Sequence, residues 1–161
     1  MNDIIRVIDV CKSFGVGDAR TNVLKNVRIS IEEGKLTILR GRSGSGKTTL
    51  LNIMSALDLP TGGSVLFEDE DITKLSERKR DLLRKTKCGF VFQSVALIGN
   101  MTAYENVDFA LRVSKYPAAK RDARVLEVLT TVGLSKRGKH RVQELSGGEQ
   151  QRVAIARAIA V

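Results

Sequence analysis

Apolar positions along the chain keep two different rhythms. Ile4 to Val10 is β-branched and apolar, and Val27-Arg28-Ile29-Ser30-Ile31 alternates with period two; both predict strands. Glu33-Gly34 signals a turn. Leu36-Thr37-Ile38-Leu39 is a short apolar run that enters a glycine-rich loop, and Thr48 to Leu57 has helical character. Pro60-Thr61-Gly62-Gly63 breaks the chain before a further strand, Ser64 to Phe67. Ser76 to Lys87 reads as a charged, Leu-bearing helix, and Gly89-Phe90-Val91-Phe92-Gln93 as strand-like. From there the rhythm is helical. Thr102 and Glu105 have capping-box spacing, and Pro117 suits the first turn of another helix. Val125, Val128, Leu129 and Val132 share a face of that helix, which Gly133 ends. Ser146-Gly147-Gly148-Glu149 repeats the capping-box spacing and opens a helix through Ala160.

Composition narrows the classes. With 161 residues, 42% hydrophobic and 28% charged, the chain is long enough for a globular core and too apolar for a disordered segment. Its longest apolar runs, such as Val95-Ala96-Leu97-Ile98, fall far short of a membrane span. Met1-Asn2-Asp3-Ile4-Ile5-Arg6 has neither a basic start nor an apolar stretch, so no secretory signal is expected. Cys11 and Cys88 stand apart and suggest buried cytosolic thiols rather than a zinc site or a disulfide. The net charge of +9 raises nucleic-acid binding. Yet the basic pairs Lys79-Arg80, Arg84-Lys85 and Lys120-Arg121, and the cluster from Lys136 to Arg141, lie without interleaved aromatics, mostly where helices would be solvated. No nucleic-acid partner is expected.

The strongest local signal is Gly41-Arg42-Ser43-Gly44-Ser45-Gly46-Lys47-Thr48, which fits G-x-x-x-x-G-K-[ST] between a predicted strand and a predicted helix. Glycines let backbone amides turn inward around phosphate oxygens, and the following helix aims its positive end at the same anion. Lys47 supplies a charge for the β- and γ-phosphates, and the Thr48 hydroxyl is a hard ligand for Mg²⁺. Thr49 completes the predicted nucleotide contacts.

Leu145-Ser146-Gly147-Gly148-Glu149-Gln150-Gln151-Arg152 resembles the signature of the ABC transporter ATPase family. Phe90-Val91-Phe92-Gln93 is similar to its Q-loop, Asp58 to Gly63 to the turn after its first helix, and Thr102 to Val107 to the opening of its helical subdomain. The likeness runs from about Ile4 to the last residue, with wording closest to the lipoprotein-releasing, macrolide and antimicrobial-peptide exporters. It implies an α/β P-loop fold with an antiparallel β subdomain and a helical subdomain. The expected division is 1–93 for the β subdomain and first part of the core, 94–145 for the helical subdomain, and 146–161 for the signature helix. It further implies that Phe14 stacks on adenine, with an ordinary core aromatic as the alternative. Gln93 would help order Mg²⁺ and the attacking water and relay nucleotide state. Ser146, Gly147, Gly148 and Glu149 would meet the ATP of a second nucleotide-binding subunit in a head-to-tail dimer. The implied partner is an integral membrane permease, placing the chain in the cytoplasm on the inner face of the membrane, with an export role preferred.

The family's later features, an apolar strand ending in Asp-Glu and a switch histidine, have no counterpart; the only histidine, His140, precedes the signature. The chain is therefore expected to bind MgATP without efficient hydrolysis and to be an incomplete, marginally stable form with unpaired strand edges. Val65-Leu66-Phe67-Glu68-Asp69-Glu70-Asp71 imitates such a strand, but reads as an edge strand entering a polar turn. Asp69, where the family often has Gly, and Gly99-Asn100, where proline is common, are departures. A non-transport ABC ATPase acting on nucleic acid or ribosomes, or a non-functional remnant, are the alternatives.

Overall fold

A computed structural model describes residues 3–161; Met1 and Asn2, part of the segment read as carrying no secretory signal, lie outside it. The chain divides into two compact units, one ending at Arg84 and the other Lys85–Val161.

The first unit is built on a four-stranded antiparallel sheet. Strands β1 (Asp3–Phe14) and β2 (Thr21–Glu32) form a long hairpin, β3 (Gly62–Phe67) pairs with the other side of β1, and β4 (Glu70–Asp71) pairs with β3. Helix α1 (Lys47–Met54) lays Leu50, Ile53 and Met54 onto Val7, Val10, Leu24 and Val65 of the sheet, forming an apolar core with Phe67 and Ile72. Helix α2 (Glu77–Lys87) buries no residue fully, and Arg80 and Arg84 turn back to Glu77. Neither arginine is a solvated charge as expected: both side chains are mostly buried, and Arg84 also donates to the Ala56 carbonyl. Tight hairpin geometry places Glu68 and Asp69 at φ 47° and 66°, the left-handed region, so an Asp occupies a position where glycine is the unstrained choice.

The second unit is helical. Helices α3 (Ala103–Val113), α4 (Ala118–Thr131) and α5 (Gly147–Ala160) close around Val107, Leu111, Val125, Val128, Leu129, Val153 and Ala156. Both capping boxes form. Glu105 N donates to Thr102 Oγ1 while Thr102 N donates to Glu105 Oε2, and the same reciprocal pair links Ser146 and Glu149. Pro117 is the N-cap of α4, and Gly133, at φ 72°, follows its end. Arg124 of α4 donates to the Ile159 and Ala160 carbonyls, covering the C-terminal end of α5.

Four expectations need correction. Leu36–Leu39 and Gly89–Gln93 are not strands. A strand exists only against a hydrogen-bonded neighbour, and the observed sheet does not reach either run. Most of their apolar side chains are accordingly uncovered: Leu36 is 89% and Ile38 62% exposed, and Val91 and Phe92 are half-exposed, while Leu39 packs against the core and Phe90 is partly buried. The segment Val65–Phe67 is not an edge strand either, because β3 lies between β1 and β4. Cys11 and Cys88 are half-buried rather than core residues. Among the described residues, no helix is long and apolar enough to cross a membrane.

Candidate functional site

The glycine-rich loop of the first unit hands directly into α1. Gly46 is the N-cap of α1 at φ 86°, and a Cβ there would lie 2.8 Å from Leu24 Cδ2 and 3.2 Å from the Val23 carbonyl oxygen. Only glycine lets the loop turn this close to β2. Lys47, the first residue of α1, folds back over the loop: Nζ donates to the Gly41 carbonyl at 2.8 Å, the Arg42 carbonyl at 2.7 Å and Ser45 Oγ at 3.3 Å. Ser45 N donates to the Arg42 carbonyl, closing the turn. The ammonium is thus centred in a ring formed by residues 41–47.

The start of α1 differs chemically from those of α3 and α5. Those two are capped by a hydroxyl and a glutamate each, whereas α1 has no side-chain cap and no acidic residue in its first turn. Its leading amides and partial positive charge are left to an outside acceptor, with Thr48 exposed on that first turn. Residues Gly41 to Ser45 are exposed, Gly46, Lys47 and Thr49 partly so. The cluster fits a phosphate chain with an accompanying hard cation: amides and an ammonium for the anion, a hydroxyl oxygen for the metal.

Phe14 closes β1, paired with Thr21 of β2. It is 47% exposed, so it is not the core aromatic of the alternative reading. Lys12 Nζ sits 5.1 Å from its ring centroid and is itself held by Asp58 Oδ1 at 2.7 Å and the Leu59 carbonyl at 2.6 Å. The turn after α1 is tied to the same strand end, since Thr61 Oγ1 accepts from Ser13 N and donates to the Cys11 carbonyl. Lys12 is also register-paired with Leu24, against which Gly46 packs. Phe14 and the loop therefore share one framework, the β1–β2 hairpin.

In the second unit, Gln93 is exposed in a turn, with Val95 N donating to the Phe92 carbonyl at 3.0 Å. Ser146 is the N-cap of α5 and Gly147 and Gly148 are its first residues. A Cβ on Gly147 would meet nothing within 4 Å, and one on Gly148 only Arg152 Nη1 at 3.8 Å. Neither glycine is required by the packing of this chain. The Glu149 carboxylate is committed inward, to Ser146 N and Oγ and to Arg137, and the Ser146 amide holds it below the usual glutamate range. His140 lies beside Arg137, with Nε2 3.1 Å from Nη1. The acids after β3 serve local geometry: Asp71 accepts from Thr73 and pairs with Lys74, and Asp69 pairs with Arg6.

Sequence reasoning missed the Lys12–Phe14 contact, the Arg137–Glu149 pair and a link from Arg157 back to Val95 and Ala96. None has a local motif to reveal it; for the last, 61 residues separate the partners.

A glycine-rich loop closed around its own lysine and opening an uncapped helix has the form of the P-loop class. Comparison with known proteins is consistent. A family profile described as ABC transporter matches residues 24–161. An uncharacterized ABC transporter ATP-binding protein of Thermotoga maritima is 44% identical over 160 residues, covering 99% of this chain and 68% of that protein. Among solved structures, an ATP-binding cassette in a dimeric post-hydrolysis state bound to ADP and Pi superposes with a TM-score of 0.87 at 39% identity, over 97% of this chain and 69% of that one. A bacterial ABC transporter cassette in dimeric form matches with the same score and coverage at 40% identity. The chain belongs to the ABC transporter family, with the α/β P-loop fold of its ATP-binding cassettes.

Proposed function

We propose that this chain is the nucleotide-binding subunit of an ABC transporter, taking MgATP at Gly41 to Thr49. The observation that carries this reading is the closure of the loop around Lys47 Nζ beside an uncapped, acid-free helix start. Phosphate oxygens would take over the bonds that Nζ now gives to the Gly41 and Arg42 carbonyls, joined by the α1 amides. Phe14, half-exposed and steadied by Lys12, offers a face for adenine. Mg²⁺ bound with the nucleotide would neutralise phosphate charge; Thr48 offers its hydroxyl, and Gln93 its side-chain amide, to that metal and its water.

The signature residues act on a second copy. Gly147 and Gly148 leave the α5 amides open to a γ-phosphate presented from outside, which is why glycine stands where intrachain packing does not ask for it. Ser146 and Glu149 keep that end of the helix in shape. The dimeric state of the two solved relatives supports a head-to-tail pair. In this reading residues 1–93 are the β subdomain and first part of the P-loop core, 94–145 the helical subdomain and 146–161 the signature helix; a permease in the membrane is the driven partner, and export is the preferred direction.

Isothermal titration with MgATP and with Lys47→Ala tests the core of the proposal. Saturable binding that the substitution abolishes supports it; binding equal in both proteins would exclude Gly41–Thr49 as the site.

A further inference from the structure

On both sides of Gln93 the chain is fastened to the last turn of α5. Ahead of it, Gly89 lies so close to that turn that a Cβ would sit 2.0 Å from the Ala158 carbonyl oxygen. Behind it, Val95 and Ala96 adopt φ 62° and 46°. That left-handed conformation is unfavourable for any L-residue and most of all for a β-branched one, so it persists only where surrounding contacts impose it. Local backbone bonds from Val95 N to the Phe92 carbonyl and from Ala96 N to the Ser94 carbonyl hold part of the turn, and Arg157 supplies the link to α5: its guanidinium donates to the Ala96 carbonyl at 2.6 Å and to the Val95 carbonyl at 3.4 Å. Between these two feet, Phe90 and Phe92 stack with centroids 5.9 Å apart and planes 8° from parallel, stiffening the arch.

Arg157 is costly where it stands. Half-buried, its guanidinium is pushed towards a lower pKa by desolvation, and both of its hydrogen bonds go to backbone carbonyls rather than to a carboxylate. An arginine on the exposed side of α5 would avoid that penalty. Its two acceptors are also the carbonyls of the strained pair, so it holds in place the conformation that the backbone alone disfavours.

We propose that Arg157 is a positioning residue for Gln93: together with Gly89 it pins the arch 89–96 to α5, making Gln93 and the Ser146–Gly148 end of that helix parts of one rigid piece. Ser146 and Arg157 are eleven residues apart on α5, so the lever between them is about 16 Å long. Any displacement of the glycine end of α5 then carries Gln93 with it. This rests on the nucleotide reading given above for Gln93.

The test joins hydrogen exchange to nucleotide binding in the full chain, using wild type, Arg157→Ala, Gly89→Ala, Gln93→Ala and the double variant Arg157→Ala/Gln93→Ala. Arg157→Lys, which keeps the charge and stem but cannot fork onto two carbonyls, substitutes if Arg157→Ala fails to fold. Exchange in segment 90–97 should rise about tenfold in the Arg157 and Gly89 variants, with α3 and α4 unchanged. A non-hydrolysable ATP analogue, titrated with and without Mg²⁺, should bind wild type more tightly with the metal. Arg157→Ala and Gln93→Ala should each lose that gain, by about tenfold, and the double variant should lose no more than Gln93→Ala alone. Unchanged exchange in segment 90–97 would overturn the clamp. Additive losses in the double variant would overturn the route through Gln93, leaving Arg157 a purely structural residue. Wild type that binds no analogue under either condition would overturn the nucleotide reading itself and this proposal with it, whereas intact binding with additive losses overturns only the proposal.

Discussion

Gly147→Ala separates what α5 needs for itself from what it offers to another molecule. The added methyl meets no atom of the chain within 4 Å, and Gly147 is not among the glycines at positive φ. The fold should therefore gain, because alanine loses less backbone entropy than glycine on entering a helix. Interior sites gain about 0.5–1 kcal/mol, and the first residue of a helix belongs at the lower end. About 0.5 kcal/mol corresponds to a melting temperature about 1–2 °C higher for a chain of this size. Against a phosphate approaching the α5 amides the same methyl is an obstruction, costing about 1–3 kcal/mol, or about 5- to 150-fold in dimer affinity. Thermal melts and sedimentation with a non-hydrolysable ATP analogue measure the two effects on one preparation. A melting temperature several degrees lower would refute the claim that the chain does not need this glycine. An unchanged melt with undiminished nucleotide-dependent dimerisation would refute the placement of Gly147 at a contact between copies.

Gly46→Ala should act in the opposite sense, because the new Cβ is forced onto Leu24 at a left-handed N-cap; a loss of about 1–3 kcal/mol in urea unfolding is expected. Ser146→Ala removes the hydroxyl that accepts from Glu149 N and should cost about 1 kcal/mol, read in the same assay. Lys47→Ala should leave the melt close to wild type, since its ammonium bonds only exposed loop atoms, while MgATP binding disappears in titration. Glu105 and Glu149 are both held below the usual glutamate range, chiefly by the backbone amides of Thr102 and Ser146. Their contribution is then present above the unfolded glutamate pKa of about 4.3 and lost as pH falls through the lower folded values. Urea midpoints measured from pH 6 to pH 3 should drop in that acid window, and Glu105→Gln/Glu149→Gln should flatten the drop.

Legibility from sequence followed the range of the interactions. The boxes at Thr102–Glu105 and Ser146–Glu149 span three residues each, so a local pattern contains both partners, and both formed. Val125, Val128 and Leu129 declared the buried face of α4 by their spacing alone. The loop 41–48 was equally readable, because one short stretch supplies the glycines, the lysine and the helix start. Leu36–Leu39 and Gly89–Gln93 were misread for the complementary reason. An apolar run states that it could be covered, not which strand lies alongside, and here none does. Arg157 carries no local signal, because its acceptor at Ala96 lies 61 residues away in the chain.

The embrace of Lys47 by the Gly41 and Arg42 carbonyls bears on the thermodynamics of capture. A phosphate arriving at this loop does not meet a bare cation; it competes with two carbonyl dipoles already engaged. Entry is an exchange of acceptors, and the lysine's share of affinity is the difference between the two sets of bonds. The compensation lies in order: a loop already drawn around its own lysine has little conformational freedom left to surrender when the anion replaces those carbonyls. Binding at this loop should therefore show a modest enthalpy and a small entropic penalty, as expected of a receptor shaped in advance by an internal surrogate for its ligand.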